Sequence, residues 1–175
     1  GVPCQTLSAG DEFFLGEEVR VQVFGPPEGD TSQVAGGYQD ANDGSIAMRL
    51  THGESSFWAS GDLYISGEQS LIQASGSEIA SDVVKMNHHG KDTSNGRDFV
   101  EAIQAKVAVG LFDSVASRTV AMRYEAAGAQ VFYNSTDGAV RVSTAGDGTY
   151  EIQTQLLRDV SILPEPSPDG SYQIG

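Results

Sequence analysis

Val19-Arg20-Val21-Gln22-Val23 alternates apolar and polar positions, the period-two signature of a strand with one buried face. Ile46 to Leu50 and Ser56 to Ala59 predict two more strands, joined by a turn at His52-Gly53-Glu54. Val83 to Met86, Val107 to Phe112 and Gln130 to Tyr133 are short unbroken apolar runs, the texture of strands covered on both faces. Helical spacing takes over in three places. Residues 68–74 follow Ser66; residues 96–104 carry Phe99, Val100 and Ile103; residues 117–127 carry Val120, Tyr124 and Ala127 on one face, with Gly128 as C-cap. Strands interleaved with short helices predict an α/β or α+β layered domain. After Gly128 the pattern reads strand, Asp137-Gly138 turn, strand over 139–144, Gly-rich turn and strand over 150–156. Asp-Gly between such runs predicts a hairpin. Residues 28–44 are polar and Gly-rich and predict a long loop, while Pro164, Pro166 and Pro168 mark a tail. The domain is therefore expected to span residues 1–156, with residues 157–175 as the tail.

Composition narrows the function classes. Lys and Arg number 10 against 24 Asp and Glu, for a net charge of -14 over 175 residues. Such a surface has no general attraction for a polyphosphate backbone, so broad DNA binding is not expected. A single cysteine, Cys4, excludes an intrachain disulfide framework and a thiolate zinc cage. No apolar run approaches the ~20 residues that span a bilayer, so no transmembrane segment is expected. A soluble domain, cytoplasmic or secreted, fits this composition.

Chemistry concentrates at two strand ends. The three histidines are His52, His88 and His89, and the last two stand in Asn87-His88-His89-Gly90 directly after an apolar run. A strand ending in His-His-Gly presents imidazoles at the mouth of a sheet, either as ligands or as a strand cap with a solvated neighbour. Ser60-Gly61-Asp62 likewise follows Phe57-Trp58-Ala59, and its glycine permits close backbone approach. The chain between residues 62 and 88 is long enough for a helix to return it to a neighbouring parallel strand. Asp62 and His88 would then share one edge of the sheet, with side chains converging. Such donors suit Zn, Mn or Fe. His89 could add a third ligand, although pleated neighbours point to opposite sides. Lys91 follows the turn and could meet an anionic substrate group or simply be solvated. Trp58 reads as core.

In this order the segments Asn42 to Leu50, Ser56 to Leu63 and Asp82 to Gly90 resemble the second half of a metallo-β-lactamase-fold domain. They are most similar to the C-terminal hydrolase domain of ComEC-type competence proteins. Lys106 to Val109, Glu125 to Ala129 and Asp137 to Val140 continue the likeness, which covers roughly residues 6–155. The resemblance implies an αββα sandwich, present here chiefly as its C-terminal half. It implies a two-metal hydrolase, usually of zinc, with Mn or Fe possible, in which Asp62 bridges the metals and His88 completes one of them. The reaction would be hydrolysis of an ester, lactone or phosphodiester by a metal-bound hydroxide. His89 and Lys91 would then lie beside the substrate.

Two departures qualify the implication. The signature His-x-His-x-Asp-His of the family is absent, because no histidine precedes His52. An N-terminal half of the same domain is therefore the expected partner. ComEC-type chains also carry Gly-His-Pro after the strand that matches Val107 to Leu111, where this chain has Phe112-Asp113-Ser114. These losses leave a non-catalytic remnant with a binding or structural role as the alternative to a hydrolase.

Overall fold

Alternation and turn chemistry produce a sheet whose strands lie side by side in the order in which they occur along the chain. The computed structural model describes residues 2, 4–27, 38–111, 115–156 and 159–162. Strands β1 (Glu12–Leu15), β2 (Val19–Gly25), β3 (Ala47–His52), β4 (Ser55–Ser60), β5 (Val83–Lys85), β6 (Val107–Gly110) and β7 (Gln130–Tyr133) form one sheet in that spatial order. Pairing is antiparallel from β1 to β4 and parallel from β4 to β7. The change at β4 follows from the connections. Tight turns join β1 to β2 and β3 to β4 and a longer segment, residues 26–46, joins β2 to β3, whereas helices α2 (Ile65–Ser75), α3 (Arg97–Ile103) and α4 (Val115–Ala126) return the chain between the later strands. A shorter helix, α1 (Tyr38–Asp43), precedes β3, and α5 (Asn134–Asp137) follows β7. Strands β8 (Val140–Ser143), β9 (Tyr150–Thr154) and β10 (Asp159–Ile162) make a separate antiparallel sheet.

The protein is thus α+β: a mixed seven-stranded sheet with helices on one face and a smaller sheet on the other. Adjacent residues of β5 show the division. Val84 joins Trp58, Leu71, Phe99, Ile103 and Tyr124 in the core under the helices. Val83 joins Val107, Phe132, Tyr150 and Ile152 in the core under the small sheet. Both faces of the parallel strands are covered, which is why those strands read as unbroken apolar runs.

Four expectations change. Asp137-Gly138 does not turn a hairpin between two strands of one sheet; β7 and β8 belong to different sheets. The Asp137 carboxylate is buried and accepts the Tyr133 N–H at 2.9 Å, so residues 134–137 wind into α5 and redirect the chain. Of the expected loop over 28–44, residues 38–43 form α1, and 28–37 lie outside the described residues. Residues 159–162, assigned to the tail, pair with β9, while 163–175 lie outside the described residues. Strand β1 was not anticipated: Phe14 and Leu15 are adjacent apolar residues, both more than half exposed, so no alternation announces it.

A polar clamp ties the two sheets together. The Asp82 carboxylate accepts the Tyr150 hydroxyl at 2.7 Å and the Ser56 hydroxyl at 2.8 Å, and pairs with Lys106 Nζ at 2.8 Å. Burial pushes the Asp82 pKa up, but the bonds from Lys106, Tyr150 and Ser56 outweigh it and hold the group below the ordinary carboxylate value. Burial, with Asp82 beside it, pushes Tyr150 up to about 12. A carboxyl whose folded pKa lies below its unfolded value stabilises the fold above about pH 4 and stops doing so as pH falls through the folded value. Asp82→Asn is therefore expected to cost on the order of 1–2 kcal/mol at pH 7 and to flatten the stability profile below about pH 4. Urea unfolding between about pH 2 and 7 measures both effects.

Candidate functional site

The site forms where β4 and β5 end side by side. β4 stops at Ser60, and the backbone N–H of Asp62 donates to Ser45 Oγ at 3.0 Å. Gly61 is required there, because a Cβ would stand 2.7 Å from that same hydroxyl. The carboxylate of Asp43 accepts the Tyr64 N–H at 3.1 Å and the Ser66 hydroxyl at 2.6 Å, tying the start of α2 to the segment before β3. The first N–H of α2, that of Ile65, is satisfied by the Thr93 carbonyl at 3.1 Å, and together these bonds fix the direction in which the chain leaves Asp62.

The second arm is a turn of 3₁₀ type over Asn87–Gly90 after β5. His88 and His89 both occupy the left-handed region, at φ 46° and 62°, followed by Gly90 at 94°. Non-glycine residues held there cost roughly 1–3 kcal/mol each and persist only where surrounding bonds over-determine them. Those bonds are present. The His88 N–H donates to Gly61 O at 3.2 Å, the Lys91 N–H to His88 O at 3.0 Å and the Leu111 N–H to His89 O at 3.0 Å.

This turn changes the expected direction of His89. Pleated neighbours would diverge, but two consecutive left-handed residues curl the chain so that both imidazoles reach Asp62. His89 Nε2 stands 3.3 Å from Asp62 Oδ1, and His88 Nε2 stands 3.8 Å from Asp62 Oδ2. The structure therefore brings Asp62, His88 and His89 together. Lys91 also lies at the site, with Nζ 3.2 Å from His88 Nε2. Residues 112–114, where the resemblance would put Gly-His-Pro, lie outside the described residues.

Electrostatics around His88 favour the neutral ring. Burial lowers its pKa, Asp62 pulls it up, and the cations Lys91 and Lys85 push it down again. His88 Nδ1 is 3.0 Å from Thr93 Oγ1, so with an Nδ1–H donated to that hydroxyl the Nε2 lone pair accepts from Lys91 Nζ at 3.2 Å. Tyr64 packs edge-on against the His88 ring, with centroids 5.1 Å apart. Lys85, its pKa lowered by burial against the pull of Asp62, donates to Ser60 O at 2.8 Å and Gly61 O at 3.3 Å. It thereby grips the strand end that carries Asp62. Lys85, Tyr64 and Thr93 carried no sequence signal of a role: a lysine closing a strand and a hydroxyl in a loop look like ordinary surface.

Donor chemistry and spacing suit a divalent metal in part. Two ligand atoms about 2.0–2.1 Å from one tetrahedral ion stand about 3.4 Å apart, which the Asp62–His89 pair meets and the Asp62–His88 pair approaches. Among the described residues, however, no group of three or more His, Cys, Asp or Glu side chains gathers into a metal-holding cluster.

No family model matches the chain. Two curated proteins do. Competence protein ComA of Neisseria gonorrhoeae is 29% identical over 124 residues, 68% of this chain and 18% of that protein. ComE operon protein 3 of Bacillus subtilis is 28% identical over 109 residues, 62% of this chain and 13% of that protein. The chain is similar to competence proteins. It spans less than a fifth of the length of either relative. Among the described residues no helix is long and apolar enough to cross a membrane.

Proposed function

We propose that this chain carries one arm of a metal-dependent hydrolase site of metallo-β-lactamase type, with zinc, Mn or Fe as its metal. Asp62 and His88 are its ligands, His89 stands as a third donor, and Lys91 faces the substrate. The observation that carries the reading is the convergence of two imidazole Nε2 atoms on the two oxygens of Asp62, bought with two left-handed histidines. Backbone strain of this kind clusters at functional sites. When bound, a divalent cation supplies Lewis acidity and brings the pKa of a coordinated water toward neutrality. This chain's residues do the rest. Asp62 offers the charge that holds a cation, Thr93 sets the His88 tautomer, and Lys85 and Lys91 place positive charge where an anionic ester would approach. Two of the chain's three lysines stand here, in a protein of net charge -14. A small ester, lactone or phosphodiester fits better than duplex DNA.

The remaining ligands belong, in this reading, to polypeptide outside these 175 residues that bears His-x-His-x-Asp-His and completes the αββα sandwich. The sheet supports such a partner. Paired positions place Phe13, Val21, Leu50 and Phe57 in one row across β1 to β4, with Val23, Met48 and Ala59 beside it. Phe57 packs against the small sheet and Val21 and Val23 are buried, while Met48 and Leu50 are only half-buried and Leu15 on the same face is 52% exposed.

Elemental analysis after dialysis against a chelator tests the proposal. The chain alone is expected to hold zinc weakly, and mixing with the complementary segment should recover two tightly bound ions. Stoichiometric, chelator-resistant zinc in the 175 residues alone would show a site complete without a partner. No zinc in either sample would favour the non-catalytic remnant.

A further inference from the structure

Behind the His-His turn lies a buried polar network that plays no part in the chemistry above. Glu68 of α2 is 1% exposed. Its Oε1 accepts Asn87 Nδ2 at 2.7 Å and the Asn95 N–H at 2.5 Å, and its Oε2 accepts the Gly96 N–H at 2.8 Å. Asn87 and Asn95 are both fully buried and clamp each other. The Asn87 N–H donates to Asn95 Oδ1 at 3.1 Å, and Asn95 Nδ2 returns to Asn87 O at 2.9 Å and Lys91 O at 3.2 Å. Asn87 Oδ1 in turn accepts the hydroxyl of Ser60, the last residue of β4.

The connectivity has a specific geometric effect. Asn87 immediately precedes His88, and Ser60 stands two positions before Asp62, so a single amide side chain bonds to both arms of the site. Asn95 closes the turn from the far side by holding the carbonyls of residues 87 and 91. Glu68 touches Asn87, Asn95 and Gly96 together.

We propose that Glu68 is a positioning residue that, through Asn87 and Asn95, sets the left-handed His88-His89 turn and hence the spacing of both imidazoles from Asp62. The proposal rests on the metal-site reading for its purpose, but the geometry it predicts exists without metal. A carboxylate suits the role because three N–H donors converge on its two oxygens. Glutamine offers only one acceptor, so Glu68→Gln can keep Asn87 and Asn95 but confronts the Gly96 N–H with an NH2 group.

The full 175-residue chain tests this with two readouts. In metal-free protein, NMR residual dipolar couplings of residues 87–90 and the contacts between the His88 ring and Tyr64 report the turn. A cobalt(II) titration reports the site. Glu68→Gln should leave circular dichroism unchanged, average the couplings of His88 and His89, and weaken cobalt binding about 10-fold or more, the range for outer-shell partners. Ser60→Ala, which cuts only the bond to the Asp62 arm, should weaken cobalt binding while leaving the couplings as they are. Unchanged couplings in a folded Glu68→Gln protein would overturn the proposal, whatever the metal does. Wild-type protein that binds no cobalt, alone or with its complementary segment, would overturn the metal-site reading instead, and the couplings would still decide the role of Glu68. If Glu68→Gln does not fold, Asn95→Asp becomes the decisive variant. It keeps Oδ1 for the Asn87 N–H but removes the Nδ2 bonds to the two carbonyls, so unchanged turn couplings there would overturn the proposal.

Discussion

Asp62→Ala is expected to lower zinc affinity by more than about 100-fold, beyond the ~10–100-fold typical of outer-shell partners. The reason lies in the shared geometry. Among the described residues Asp62 is the carboxylate that both imidazoles face, at 3.3 and 3.8 Å, so its removal leaves a cation held by the two imidazoles with no negative charge beside it. The fold should tolerate the change, because the side chain is 35% exposed and its backbone N–H, not its carboxylate, holds Ser45. Chelator competition in the completed assembly measures the affinity, and thermal unfolding of the metal-free chain checks stability. Asp62→Asn should fall between wild type and alanine, since it keeps an oxygen donor but not the charge. Affinity that survives Asp62→Ala would place the metal elsewhere.

Trp58→Ala should remove about 3–5 kcal/mol of folding stability, the range for deleting a large buried aromatic. Against a total of roughly 5–15 kcal/mol, that is enough to leave a substantial unfolded population at moderate temperature. Trp58 is 1% exposed and lies between Phe24 and Phe99, at centroid distances of 5.8 and 5.9 Å. Its Nε1–H also donates to Asn87 Oδ1 at 3.4 Å. Trp58→Phe should cost less, since most of the ring contacts stay, but it frees one acceptor of Asn87. Because Trp58 is the only tryptophan, denaturant curves for both variants need circular dichroism in place of fluorescence.

Legibility in the sequence depended on how local each signal was. Val19 to Val23 and the apolar runs at 83, 107 and 130 announced their strands because burial on one or both faces leaves a direct imprint on residue type. Gly128, at φ 94°, ended its helix as expected. Asp62 and His88 could be placed on one edge because each directly follows such a run, and the intervening α2 makes β4 and β5 parallel. What remained hidden was set by contacts distant in sequence. Glu68, Asn87 and Asn95 look like surface residues until α2 and the loop before α3 bury them together. The direction of His89 depends on two left-handed backbone torsions that no side-chain pattern encodes. Asp137-Gly138 has the composition of a hairpin, yet a buried carboxylate bond to Tyr133 turned it into a passage between sheets.

The side-by-side ordering of the seven strands bears on how the molecule is made. Each strand pairs with the one synthesised just before it, so loop-closure costs stay small and the sheet can extend by addition at its growing edge. During elongation from the N-terminus, β4 and the Gly61-Asp62 corner can be in place before the His88-His89 segment emerges. The strained histidines would then settle against an existing template instead of searching for one. On this route the costly turn is acquired late, and it is locked only when Leu111 emerges to hold the His89 carbonyl.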